Sequence, residues 1–319
     1  MVMKLPEYCC LKAKADFFSS EEYPFYDRID TIQDFEEKVL KIKEKNEQKD
    51  DKDKFIFRGV SEAKYKMFTS AQRKYIGGEY EKMGIKYFDF IRNILQNIKK
   101  DTLLNTFFDS INLQKNDIFY LSLLQHSGAP SLLIDFTHSF ETALFFATEG
   151  DFCCEKCERE IDNYFSLYYF QKNDNFYQWY NLQKASCDAF EKSIILDIRN
   201  KISHSATENA SIKNDKDISF AILDDMKELK NNDGYFYWPN LNLIAQDGCF
   251  IMYNKVQLPL EQFLKEVFFI QPFHCIDIHK SLIETIRTNY CTKTKEELFP
   301  SMERCCMDAY NQFKKNLNK

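Results

Sequence analysis

Apolar residues recur along this chain in two ways, at helical spacing over some stretches and in short unbroken runs over others. Asp30-Thr31 can cap a helix, and Ile32, Phe35, Val39 and Ile42 then repeat at the spacing of one buried helical face. The run from Lys43 to Lys54 is almost wholly charged or amide, which marks a solvated helix end and loop. Phe55-Ile56-Phe57 predicts a buried strand that delivers Arg58 and Gly59 at its end. Met83, Tyr87, Ile91, Ile94, Leu95 and Ile98 predict a helix over 81–98. A short helix over 118–125 is stopped by Gly128 and Pro130. Leu132-Leu133-Ile134 predicts a short strand, 135–139 a turn, and 141–148 a close-packing helix.

After Gly150 the pattern breaks. Residues 151–192 are rich in Cys, Tyr, Asn, Gln and charge, and suggest an insertion. Further strands are predicted at 194–196 and 218–223, with a last one at 267–270. Asn231-Asn232-Asp233-Gly234 signals a turn, and Gln246-Asp247-Gly248 lies between two apolar runs. Helices over 279–289 and 301–315 close the chain. The interleaving predicts an α+β fold, with a central antiparallel or mixed sheet of short strands flanked by helices. The expected organisation is an N-terminal extension over 1–29 and one domain over 30–319. No Gly-rich strand-to-helix turn and no Walker loop occurs, so phosphates are not cradled in those ways.

Composition narrows the class. Of 319 residues, 44% are hydrophobic, and 30 Phe and 18 Tyr supply a large core, which excludes disorder as the global state. A net charge of −6 gives no overall basic field for nucleic acid or anionic membrane. The chain starts without the apolar run of a signal peptide and nowhere reaches eighteen consecutive apolar residues, so a cytoplasmic protein without a membrane span is expected. Eleven cysteines, an odd number, then read as reduced thiols.

Few residues stand out chemically. Arg58, beside a glycine, suits bidentate grip of phosphate or carboxylate, and equally a structural link to a buried carboxylate such as Asp135. His126, after Gln125, can serve as acid, base or hydroxyl ligand, or be a histidine satisfied by backbone. Asp135 or Thr137 can simply cap the following helix, beside His138. Cys154-Glu155-Lys156-Cys157, with Cys153 adjacent, has only Cys187 and His204 as further partners, at spacing irregular for zinc; no metal is expected. Cys9-Cys10 and Cys305-Cys306 have less claim. No Gly-x-Ser-x-Gly elbow or His-Glu-x-x-His helix occurs.

Phe57-Arg58-Gly59, Leu124-Gln125-His126-Ser127-Gly128-Ala129-Pro130, Leu133-Ile134-Asp135-Phe136-Thr137 and Ala143-Leu144-Phe145-Phe146-Ala147 resemble the FRG domain in order and spacing. The resemblance continues through Gln246-Asp247-Gly248-Cys249-Phe250 and Leu298-Phe299-Pro300. It departs at Ser131, at Leu132, where the family pattern has arginine, and at Phe136, where it has tryptophan. The FRG layout is similar to the ADP-ribosyltransferase fold. That likeness implies an NAD-consuming enzyme, ADP-ribosyltransferase or NAD glycohydrolase, acting as a bacterial toxin or phage-defence effector on an unidentified protein or nucleic-acid acceptor. Arg58 would hold the NAD ribose or phosphates, Gln125 and His126 would contact the nucleotide, and Asp135, Phe136 and Thr137 would line the nicotinamide pocket. Gln246 stands in the region of the catalytic glutamate, with Asp247 or Glu141 as substitute carboxylates. The alternative is an inert module in which Arg58, Gln125, His126 and Asp135 recognise a nucleotide or a protein.

Overall fold

Short apolar runs, rather than strict alternation, are what a sheet covered on both faces requires. The computed structural model describes residues 5–19, 24–50, 53–111, 117–150, 158–171, 220–223, 241–268, 273–301 and 303–307. Among these, seven strands build one mixed sheet: β1 Tyr26–Ile29, β2 Phe55–Val60, β3 Leu133–Thr137, β4 Tyr164–Gln171, β5 Phe220–Leu223, β6 Gly248–Tyr253 and β7 His274–His279. Their order is β1-β7-β4-β2-β3-β6-β5. Every neighbouring pair is antiparallel except β1 with β7. The predicted α+β class, with a central mixed sheet of short strands between helices, is what forms.

The first eight helical segments are α1 Leu11–Phe18, α2 Ile32–Asp34, α3 Lys41–Glu47, α4 Ser70–Gly77, α5 Tyr87–Lys99, α6 Thr102–Ser110, α7 Asp117–His126 and α8 Phe140–Thr148, with a π-helical stretch Phe35–Leu40 joining α2 to α3. One sheet face carries Ile56, Phe136, Tyr168, Phe170 and Ile251, packed with Leu11 and Phe18 of α1 and Leu260, Phe263 and Leu264 of the helix Leu260–Phe268. The other face is divided. Phe57, Phe165, Leu167 and Ile276 pack on Ala143, Leu144 and Ala147 of α8. Leu133, Phe250 and Met252 pack instead on α4, α5 and α7.

Gly59 explains the closeness of α8. A Cβ built there lies 1.8 Å from the Ala143 carbonyl oxygen and 2.6 Å from the Ala147 amide nitrogen. The helix backbone therefore rests directly on β2, and small residues at 143 and 147 make the approach possible. The glycine lies inside the strand and serves contact, not a turn.

Several sequence expectations change. Arg58 and Gly59 lie within β2, and Asp135, Phe136 and Thr137 within β3, because β6 pairs with β3 over its whole length from Leu133↔Met252 to Thr137↔Gly248. Ser139, not Asp135 or Thr137, caps α8 by accepting from the Thr142 amide. Residues 267–268 end a helix, since a short apolar run does not distinguish a strand from a buried helix end, and the last strand is β7. Inside the stretch read as an insertion, Tyr164–Gln171 forms the interior strand β4, between β2 and β7. The stretch read as an N-terminal extension contributes α1 and β1. The strand expected at 194–196 and most of the helix at 301–315 lie outside the described residues. Among the described residues no helix is long and apolar enough to cross a membrane.

A buried ion pair ties α1 into the sheet. Lys14 Nζ donates to Asp277 Oδ1 at 2.7 Å, Ser166 Oγ at 2.7 Å and the Ala63 carbonyl at 2.8 Å, with all parts of the pair out of water. Tyr26 donates to the other Asp277 oxygen. Burial works against the Lys14 charge, but Asp277, Cys275 and Tyr26 outweigh it and raise the lysine pKa.

Gly59→Ala should lower unfolding stability by about 3 kcal/mol or more, because the clash is with helix backbone that cannot rotate away. Gly77→Ala, where a Cβ meets nothing within 4 Å, should leave stability unchanged or raise it by up to about 1 kcal/mol. Thermal unfolding of the two variants checks the contrast, and similar melting temperatures would overturn it.

Candidate functional site: a cleft where the sheet divides

β2 pairs with β4 along six residues, and β3 pairs with β6 along five, but β2 meets β3 at one register position, Phe57↔Thr137. Beyond that pair the strands separate. A cavity of about 780 Å³ fills the opening, bordered by residues 57–61 on one side and Asp135, Phe136 and Thr137 on the other. Its size falls in the range of about 300–1,000 Å³ usual for small-molecule sites.

Arg58 lies at the division. Its Nη1 donates to the Asp135 backbone carbonyl at 2.5 Å, and its guanidinium carbon sits 5.8 Å from the centre of the Phe136 ring. Nε is sealed from solvent and has no hydrogen-bond partner. One protein hydrogen bond thus occupies a group with five N–H donors. Burial lowers the Arg58 pKa, Asp135 opposes this, and nearby Arg73 reinforces it. Arginine remains charged regardless, so the shift registers a cation held away from water that an anion would relieve.

Asp135 is exposed to the cavity. Its Oδ2 accepts from Gln125 Nε2 at 2.6 Å, while Ser70 Oγ donates to Gln125 Oε1 at 3.1 Å, so α4 and α7 together fix the carboxylate. His126 ends α7 with its ring edge-on to Phe250 at 5.7 Å and a buried, unpartnered Nε2. Burial lowers its pKa below the usual 6.5 against the pull of Asp135, which makes the imidazole neutral at pH 7. Phe136 is buried, its ring stacked on Phe273 at 6.0 Å.

Thr137 and Gln246 border the cavity with their polar groups already committed. Thr137 Oγ1 donates to the Gln246 carbonyl at 2.5 Å and accepts from the Ser139 amide at 3.0 Å. Gln246 Nε2 donates to the Leu298 carbonyl at 3.0 Å. Neither proposed substitute carboxylate borders the cavity: Glu141 pairs with Lys43 at 2.6 Å, and Asp247 sits in a left-handed turn with φ 46°. Leu132, at the family's arginine position, is buried among the helices. The cysteines at 153, 154, 157 and 187 and His204 lie outside the described residues, among which no group of three or more metal-ligating side chains occurs.

The cavity also holds residues that sequence reasoning missed. Arg73 reaches it from α4, Nη1 donating to the Phe68 carbonyl at 2.9 Å, and loss of hydration lowers its pKa while Asp135 opposes. Lys66, Tyr65, Phe146 and Phe299 complete the wall, and residues 5–7 cross one margin. The available signal for Arg73 was the capping box Thr69-Ser70-Ala71-Gln72, which starts α4 and puts Arg73 in its first turns. Glu261 lies behind this wall, accepting from Tyr8 Oη at 2.9 Å and the Met67 amide at 3.1 Å. Burial raises its pKa, partly offset by those donors.

Half-buried Arg58, exposed Arg73 and Asp135, the His126 imidazole and aromatic walls line a polar cleft at a break in the sheet of this α+β protein. The family model of the FRG domain matches residues 53–153, so that part of the chain carries an FRG domain. The matched span supplies Arg58, Arg73, Gln125, His126 and Asp135, whereas Gln246 and Phe299 come from beyond it. No curated protein and no solved structure matches the chain.

Glu261→Gln should keep both donors engaged while removing a titrating buried acid. A carboxyl whose folded pKa is raised favours folding below its unfolded value near 4.5 and loses that contribution as pH rises through the folded value. The stability of the variant relative to wild type should therefore be greater at pH 8 than at pH 5. Urea unfolding at the two pH values measures this, and an unchanged difference would overturn the assignment.

Proposed function

We propose that the cleft binds NAD and that the protein consumes it by cleaving the nicotinamide glycosidic bond, as a glycohydrolase or an ADP-ribosyltransferase. The observation that carries this reading is the Arg58 guanidinium, with a single protein hydrogen bond, facing the same cavity as the open Asp135 carboxylate. Arg58 and Arg73 hold the phosphate oxygens, where charge-assisted hydrogen bonds are strong. His126, neutral, offers Nε2 to a ribose hydroxyl. When the C1′–N bond breaks, its electron pair leaves with nicotinamide and positive charge builds on the ribose; Asp135 opposes that charge. Water, or an acceptor nucleophile, then bonds C1′ and gives up a proton. Among the described residues, neither further sequence candidate supplies a second open carboxylate, since Glu141 is paired with Lys43 and Asp247 does not line the cavity. Consumption of NAD fits the toxin or phage-defence role that the family resemblance implies.

A second reading has one specific observation in its favour. Gln246, in the region where the resemblance puts a catalytic glutamate, is neutral and spends its amide on Leu298. That suits a module that binds the nucleotide without cleaving it.

Nicotinamide release from NAD, alone and with cell lysate or nucleic acid, separates the two. Arg58→Ala should reduce release by about 100-fold or more, and Asp135→Asn comparably while still binding ADP-ribose. Wild-type release no greater than that of Arg58→Ala under every condition overturns catalysis. A melting temperature still raised by ADP-ribose would then support the binding module.

A further inference from the structure

Phe299 is a large apolar side chain left 37% exposed, and it borders the cleft. Its position is over-determined. It follows the short helix Lys295–Leu298, whose start is locked by a reciprocal capping box between Thr294 and Glu297. Leu298 is fully buried, and the Phe299 amide donates to the Lys295 carbonyl at 2.9 Å. Phe146 meets the Phe299 ring edge-on at 6.0 Å and 89°. The carbonyl between these anchors, that of Leu298, takes the hydrogen bond from Gln246 Nε2. A rigid aromatic ring held partly in water at the mouth of a cationic cavity lacks a partner for its exposed part, and a flat heteroaromatic ring supplies one.

We propose that Phe299 stacks the heteroaromatic ring of the nucleotide, adenine or nicotinamide, and that Gln246 is the positioning residue that holds it there. This inference rests on the nucleotide-binding reading above. It also gives a physical reason for glutamine at position 246. The group facing the Leu298 carbonyl must donate a hydrogen, which a carboxylate does not do. Gln246→Glu therefore removes an anchor of the stacking ring instead of adding a catalytic acid.

The test compares dissociation constants of AMP, nicotinamide mononucleotide and ribose 5-phosphate, which share the phosphate and differ in the ring. Wild type should bind one of the two ring-bearing compounds about tenfold or more tightly than ribose 5-phosphate, and which one identifies the ring. Phe299→Ala should bring that preference to within about twofold while leaving ribose 5-phosphate affinity unchanged, which also controls for folding. Phe299→Trp should keep the preference, and Gln246→Ala and Gln246→Glu should each reduce it about threefold or more. A preference that survives Phe299→Ala, equal wild-type binding of all three compounds, or a gain in nicotinamide release in Gln246→Glu overturns the inference and leaves the nucleotide reading standing. Failure of wild type to bind any of the three overturns both.

Discussion

A sheet cannot open along a seam without leaving backbone groups to be satisfied by something else. Here the seam runs between β2 and β3, and the Arg58 side chain takes up the Asp135 carbonyl. The two halves of the sheet rest on different foundations. β2, β4 and β7 lie on α8, pressed close at Gly59, while β3 and β6 lie on the α4, α5 and α7 cluster. One residue pair joins the two ladders, so the cleft follows from the layout of two helix layers under one sheet. The same arginine that covers an orphaned carbonyl also brings an underused cation to the opening. The structural link expected of Arg58 takes a different form from the one the sequence suggested: it reaches the Asp135 backbone carbonyl, not a buried carboxylate.

Charges held away from water set the margins of the cleft. Lys14 and Asp277 are completely buried, and they succeed as a pair because neighbours satisfy their remaining hydrogen-bonding capacity. Such a pair adds little net stability, but removing one partner leaves the other exposed to the full cost of desolvation. Through the Ala63 carbonyl it also fixes the start of the loop from β2 to α4, the loop that contributes Tyr65 and Lys66 to the cavity wall. Glu261 holds the next part of that loop at Met67, together with Tyr8 beside the N-terminal margin. The wall therefore depends on three buried ionisable groups outside the cavity itself.

How much of this was legible in sequence depended on whether the cause was local. Apolar runs located β2 and part of β3, and helical spacing located α5, α7 and α8, because burial writes itself into nearby residues, whereas α1, α4 and α6 went unread. The polar residues beside those runs, Arg58, Gln125, His126, Asp135 and Gln246, all reach one cavity, and the family pattern pointed to them. Local turn chemistry misled at Asp135-Phe136-Thr137, where cross-strand pairing with a segment more than a hundred residues away decided the conformation. Gly59 was legible as special but not for its reason, since the α8 backbone lies far along the chain. Lys14 carried no signal in an otherwise ordinary amphipathic stretch; its partner is 263 residues distant. Arg73 drew no reading from the sequence, and only the fold brings it to the cavity with Asp135.

The single ladder position across the seam has a mechanical corollary. With so little backbone bonding between the halves, a molecule gripping both margins acts as a crossbar, and its affinity becomes part of the sheet's own cohesion. Tightness of grip and resistance to unzipping along β2 and β3 are then one quantity seen from two sides.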